Sequence, residues 1–154
     1  MSPLIRKLRE GSDLSPSRIW YNNWLERNVS GRVLDIGKSR YWDYGLETID
    51  IDFRRRPDIV GDICKSYLPS DTYDMVLCNG MYEVVSDPQK MVDEVRRILK
   101  PWGKVIFGFV GVNYVPYSDN WRCYNGDIKF GMEIVESKDF PGYHFIICQR
   151  NSAN

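Results

Sequence analysis

Five short runs rich in valine and isoleucine follow one another from residue 31 onward: "RVLDI", "ETIDI", "DIV", "YDMVLC" and "KVIFGFV". Each is only a few residues long, and several are nearly continuous in apolar character. Such runs read as strands buried on both faces, as in a parallel sheet, because a strand with one wet face alternates apolar with polar residues. Between the fourth and fifth lies "SDPQKMVDEVRRILKPWG". Here Asp87 or Ser86 caps a helix, Pro88 suits its first turn, and Met91, Val92, Val95, Ile98 and Leu99 form one stripe. Pro101 and Gly103 stop it. The unit is a βαβ crossover, expected to be right-handed.

Two flanking segments complete the outline. "SPSRIWYNNWLERNV" starts with Ser15 as a cap and Pro16 at the first helical position. Ile19, Trp20, Trp24 and Leu25 are expected to share its sheet-facing side, so that residues 1–29 form a helical segment packed on the sheet. "MEIVESKDFPGYHFIICQR" reads as two strands around a Pro-Gly turn, an antiparallel hairpin at the sheet edge. The fold class is α/β: one Rossmann-like, mostly parallel sheet with a C-terminal antiparallel hairpin, in a single compact domain spanning 1–154. Only "KSRYWDYGL" separates the first two strands and "FRRRP" the next two, whereas a parallel crossover normally takes a dozen or more residues. Helices on one face must therefore be reduced.

Composition narrows the function. Lys+Arg and Asp+Glu both number 21, so nothing global points to nucleic acid or to an anionic membrane. No apolar run approaches the roughly 20 residues that span a bilayer, and "MSPLIRKLREG" lacks the apolar core of a signal peptide. Cys64, Cys78, Cys123 and Cys148 are scattered, with no C-x-x-C pair and no neighbouring histidine. They read as small hydrophobes in a reducing, cytoplasmic setting, and no metal site is expected.

In an open parallel sheet, ligands bind beyond the carboxyl ends of the strands. Asp35 and Gly37 close the first strand, Asp50 and Asp52 the second; Asp62 follows the third, Cys78 and Asn79 the fourth. A carboxylate just after the second strand can accept hydrogen bonds from both hydroxyls of a ribose. Gly37 lets backbone approach a ligand closely. Aspartates also serve turns by bonding nearby amides, so each has a purely structural reading beside the functional one.

With those residues in view, "VLDIG…ETIDIDFRRRPDIVGDI…YDMVLCNGMYEVVSDPQKMVDEVRRILKPWGKVIF" resembles a class I S-adenosylmethionine-dependent methyltransferase of the small-molecule type. "NYVPYSDNWRCY" resembles a "DYWRFT" segment of a subgroup linked to glycan or surface-polymer clusters. The resemblance implies S-adenosylmethionine as cofactor and a small-molecule or glycan-type acceptor. It implies that Asp35, Gly37, Cys78 and Asn79 line the methionine portion; Lys38, a departure from the family pattern and unusual beside a sulfonium, could pair with the cofactor carboxylate. Asp50, or alternatively Asp52, would hold the ribose, Ile51 would lie on the adenine, and Asp62 and Ile63 would face its amino edge. Where the family has "GxGxG", "LEH" and "KPGG", this chain has "GKSRY", "YEV" and "KPWG". The candidates for a base are Glu83, Tyr82 and Tyr117, and Tyr114, Tyr117, Trp121 and Arg122 are candidates for an acceptor wall. The altered glycine loop motivates a rival expectation, a degenerate binding or regulatory module. Arg54 to Arg56 read as a solvated loop or a phosphate grip, and the single histidine, His144, as a core or edge residue.

Overall fold

A computed structural model describes residues 15–37, 46–111 and 120–151. The first helix, α1 (Pro16–Asn28), begins where Ser15 Oγ accepts the Arg18 amide at 3.4 Å. Next come β1 (Val33–Ile36), β2 (Glu47–Asp50), a 3₁₀ turn (Phe53–Arg55), β3 (Ile59–Val60) and a second 3₁₀ turn (Ile63–Lys65). They lead to β4 (Tyr73–Asn79), α2 (Pro88–Ile98), β5 (Leu99–Val110) and a hairpin of β6 (Glu133–Phe140) and β7 (Tyr143–Gln149). Asp87 caps α2, its Oδ1 accepting the Lys90 amide at 3.1 Å.

The strands form one seven-stranded sheet in the order β3-β2-β1-β4-β5-β7-β6. The first five in that order are mutually parallel, and β7 runs antiparallel to both neighbours. The chain runs outward from β1 through β2 to β3, then returns to place β4 on the other side of β1. That reversal opens a crevice at the carboxyl ends of β1 and β4.

All four residues of β1 are buried, as continuous apolar runs require when both faces are covered. One face packs on α2, whose Met91, Val92, Val95 and Ile98 meet Leu34, Val76, Val105 and Phe107. Full burial of each such side chain contributes about 1.5–3 kcal/mol. The other face packs on α1 through Tyr21, Trp24 and Leu25, against Met75, Leu77, Ile106 and Phe145. One expectation is corrected here: Ile19 is exposed, and Tyr21 takes its place toward the sheet. At roughly 100° per residue, a face centred on Tyr21 leaves the position two residues earlier on the far side. Trp20 and Trp24 do face inward, Trp20 lying against Phe140 and Phe145.

The short crossover between β2 and β3 closes without a helix. Asp52 caps the first 3₁₀ turn, and Arg56 ends it in the left-handed conformation (φ 53°). Asp58 Oδ2 accepts the Thr48 amide at 2.8 Å, while the Asp58 amide donates to Thr48 Oγ1 at 2.9 Å. These reciprocal bonds satisfy backbone that a helix would otherwise satisfy.

Candidate functional site

The carboxyl ends of β1, β2 and β4 surround a cavity of about 650 Å³, within the usual range of small-ligand sites. Gly37, Asp50, Ile51, Asp52, Asp62, Ile63 and Asn79, all singled out from the sequence, line it. The fold brings them together because in parallel strands every carboxyl end points the same way.

Their roles differ locally. Asp50 is 8% exposed; its Oδ1 accepts the Asp52 amide at 2.8 Å, and its Oδ2 lies 3.6 Å from Arg55 Nη1. Asp52 is committed to Arg54. Its Oδ1 accepts the Arg54 amide and Nε at 3.0 and 2.9 Å, and its Oδ2 accepts Nη2 at 3.0 Å. The guanidinium bonds hold the Asp52 carboxyl below the usual carboxylate range. Of the two acids at this strand end, Asp50 is the buried one and Asp52 the one tied by a fork of its own. Asp62 caps the second 3₁₀ turn, Oδ1 accepting the Cys64 amide at 2.9 Å. Ile51 is exposed at the cavity mouth and Ile63 is buried beneath it.

Gly37 adopts φ +85°, and a Cβ built on it would lie 2.6 Å from Met81 Sδ. The left-handed conformation favours glycine, and any side chain there would have to displace the Met81 sulfur. Asn79 Oδ1 accepts a hydrogen bond from the Tyr143 hydroxyl, bringing β7 to the cavity wall. Gly108 makes room for this, since a Cβ there would meet Asn79 Oδ1 at 1.9 Å.

Other sequence candidates stand elsewhere. Asp35 and Cys78 are buried and are not among the lining residues. The Cys78 Sγ sits 3.7 Å from Met91 Sδ, and burial pushes its thiol well above the usual range, which leaves no thiolate to act. Tyr82 and Glu83 turn away from the cavity. The Tyr82 hydroxyl donates to Asp127 Oδ1 at 2.8 Å, and Glu83 Oε1 accepts the Val110 amide. Lys38, Tyr114 and Tyr117 lie outside the described residues. Arg122 grips backbone rather than forming a wall of the cavity. His144, on the edge hairpin, pairs with Asp139 at 3.0 Å. Among the described residues, no group of three His, Cys, Asp or Glu side chains could hold a metal, and no helix is long and apolar enough to cross a membrane.

Arg55, Met81 and the turn bearing Val84, Val85 and Ser86 also line the cavity. Arg54 to Arg56 are all exposed, as a solvated loop requires, and Arg55 in addition donates from Nη1 to the Gly37 carbonyl at 3.3 Å at the cavity mouth. Charge was the only signal in the sequence, and it does not say which arginine makes that contact.

The buried Glu83 makes a pH prediction. Desolvation raises its carboxyl above the usual range, partly opposed by the Val110 amide. The folded state therefore favours the protonated form. Stability from this group is fully present below the ordinary glutamate range and is lost as pH rises through the raised value. Glu83→Gln removes that loss. Its melting temperature relative to wild type is expected to rise between about pH 5 and about pH 8. Differential scanning calorimetry at the two pH values checks this; a gap that does not change would refute it.

Comparison with known proteins places this geometry. Residues 21–107 match a family model described as a methyltransferase domain. A demethylmenaquinone methyltransferase of Renibacterium salmoninarum is 31% identical over an alignment covering 49% of this chain and 39% of that protein. The chain thus spans well under half the length of that relative. The N-methyltransferase NodS of Bradyrhizobium japonicum, solved with S-adenosyl-L-homocysteine, superposes with a TM-score of 0.70 at 12% identity, covering 97% of this chain and 99% of that one. A possible histamine N-methyltransferase from Thermotoga maritima gives 0.66 at 16% identity, covering 86% and 96%. At these identities the two solved structures show a shared fold.

Proposed function

The chain belongs to the class I S-adenosylmethionine-dependent methyltransferase family, and on that premise we propose that it methylates a small-molecule or glycan-type acceptor as a single domain spanning 1–154. The observation that carries the reading is the buried Asp50 carboxylate at the carboxyl end of β2, inside a cavity of ligand size. Asp50 accepts the ribose hydroxyls, Ile51 covers the adenine, and Asp62 with Ile63 meets its amino edge. Gly37 and Asn79 border the methionine portion, where a side chain in place of Gly37 would collide with Met81.

When bound, the cofactor supplies an already electrophilic methyl group. The chain's own residues have to bind, orient and exclude water. Val84, Val85 and Met81 supply an apolar wall for that purpose. The carboxylates facing the cavity are occupied in binding and capping, and Tyr82 and Glu83 face the interior. Among the described residues none is placed to act as a base, and Tyr117, the remaining candidate, lies outside them. The altered glycine loop, "GKSRY" in place of "GxGxG", favours a second reading, a binding or regulatory module on this fold. Cysteine usage supports a reducing, cytoplasmic setting.

Calorimetric titration with S-adenosylmethionine and S-adenosylhomocysteine tests the first reading, and wild-type protein that binds neither compound would sink it. Binding of both without turnover across a panel of small-molecule and glycan acceptors favours the module. Within the same titration, Asp52→Ala is expected to keep the affinity within about threefold, since its carboxylate serves Arg54. A larger loss would move the ribose contact from Asp50 to Asp52.

A further inference from the structure

The turn after β4 forms one wall of the cavity through Met81, Val84, Val85 and Ser86. Within the turn, the Val84 and Val85 amides both donate to the Met81 carbonyl at 3.1 Å. Its outward carbonyls are taken by a residue some forty positions away: Arg122 Nη1 donates to the Tyr82 carbonyl at 2.8 Å and to the Val85 carbonyl at 3.1 Å. The Arg122 amide donates to the Glu83 carbonyl at 3.3 Å, and its guanidinium lies over the Tyr82 ring, 5.6 Å from the centroid. Tyr82 is fixed in turn by Asp127 and by edge-on contacts with Phe109 and Tyr124. Arg122 itself does not line the cavity.

We propose that Arg122 is a positioning residue for the cofactor cavity, holding the Met81–Ser86 wall against Gly37 and coupling cofactor occupancy to the 120–127 segment. Three bonds to one turn bracket it at both ends, so loss of the side chain releases the carbonyls of Tyr82 and Val85 together. Met81 then loses the support that keeps its thioether against Gly37. A ligand that binds best to the wall in this arrangement also favours the arrangement in which Arg122 bonds it, and so steadies the segment that carries Arg122. The inference rests on the cofactor reading above, but part of its test does not.

The test compares wild type, Arg122→Ala, Arg122→Lys and Arg96→Ala. The last removes a similar arginine-to-backbone bond, from Arg96 Nε to the Gly131 carbonyl at 3.0 Å, at a residue that does not line the cavity. Hydrogen exchange without ligand is expected to quicken about tenfold at the Val84 and Val85 amides in Arg122→Ala, with α2 unchanged. Arg96→Ala is expected to leave those two amides as they are. Affinity for S-adenosylhomocysteine is expected to fall about three- to tenfold in Arg122→Ala, to recover in part in Arg122→Lys, and to hold in Arg96→Ala. Ligand should slow exchange across residues 120–127 in wild type but not in Arg122→Ala. Unchanged exchange at Val84 and Val85, or equal affinity losses in Arg122→Ala and Arg96→Ala, would overturn the proposal. Wild type that fails to bind the ligand overturns the cofactor reading instead, and the ligand-free exchange then still decides whether Arg122 holds the wall.

Discussion

Titration of Asp50→Ala with S-adenosylhomocysteine is expected to show binding weakened by about a hundredfold or more relative to wild type. Hydrogen bonds to a buried carboxylate contribute about 1.5–3 kcal/mol each, and a ribose diol makes two, so loss of both spans two decades or more. Asp50 is 8% exposed, which keeps water from replacing the lost acceptor cheaply. Asp50→Asn separates the effects. It keeps an oxygen for the Asp52 amide, now bonded at 2.8 Å, and turns the other position from acceptor to donor. A loss of about tenfold or more in Asp50→Asn would assign the effect to the diol rather than to a collapsed turn. Arg55 does not compete seriously for the site. Its contact with Asp50 is 3.6 Å long and its side chain 59% exposed, so the pair contributes about 0–1 kcal/mol. Wild-type affinity in Asp50→Ala would remove Asp50 from the site.

Gly37→Ala carries the second large effect, with two separable causes. At φ +85° an alanine is strained by about 1–2 kcal/mol wherever its neighbours stand. Its Cβ would also lie 2.6 Å from Met81 Sδ, the flexible end of a side chain that forms the opposite wall. Displacing that sulfur narrows the cavity, and affinity for S-adenosylhomocysteine is expected to fall about tenfold or more alongside the lost stability. The double variant Gly37→Ala/Met81→Ala relieves the contact but not the backbone. It is expected to regain affinity while remaining about 1–2 kcal/mol less stable to urea than Met81→Ala alone. A double variant no better at binding than Gly37→Ala would place the whole effect in the backbone.

The strands, α2 and the terminal hairpin were legible because they depend on local pattern. Continuous apolar runs require a sheet covered on both faces, and the stripe from Met91 to Ile98 permits one packing face; Leu99, expected on that stripe, instead ends α2 and begins β5, which also takes in Pro101 and Gly103. Helix α1 was legible at its start by Ser15 and Pro16 but not in orientation, and residues 1–14 of the expected 1–29 segment lie outside the described residues. Its aromatic and apolar residues lie on more than one side, and only contact with Phe145 and Met75 selects Tyr21 over Ile19. Asp50, Ile51, Asp52, Asp62 and Asn79 were legible as strand-end residues. Their division of labour was not, since it depends on which carboxylate Arg54 reaches and which is covered by the sheet.

The structure chose Asp87 over Ser86 as the cap of α2, but the sequence by itself determined the order of the strands along the chain, the cap at Ser15, and the gathering of acidic residues at one end of a parallel sheet. Those are properties of local backbone and of strand direction, which a residue carries wherever it is packed. Only the tertiary structure decided that Asp50 is buried and Asp52 engaged, that Tyr82 and Glu83 face inward, and that Arg55 reaches the Gly37 carbonyl and Arg122 the Tyr82 carbonyl. The Asp52–Arg54 fork is local, but the others depend on burial and on partners farther along the chain, such as Arg55 with Gly37, Arg122 with Tyr82 or Asp127 with Tyr82. No local periodicity encodes a partner at that distance.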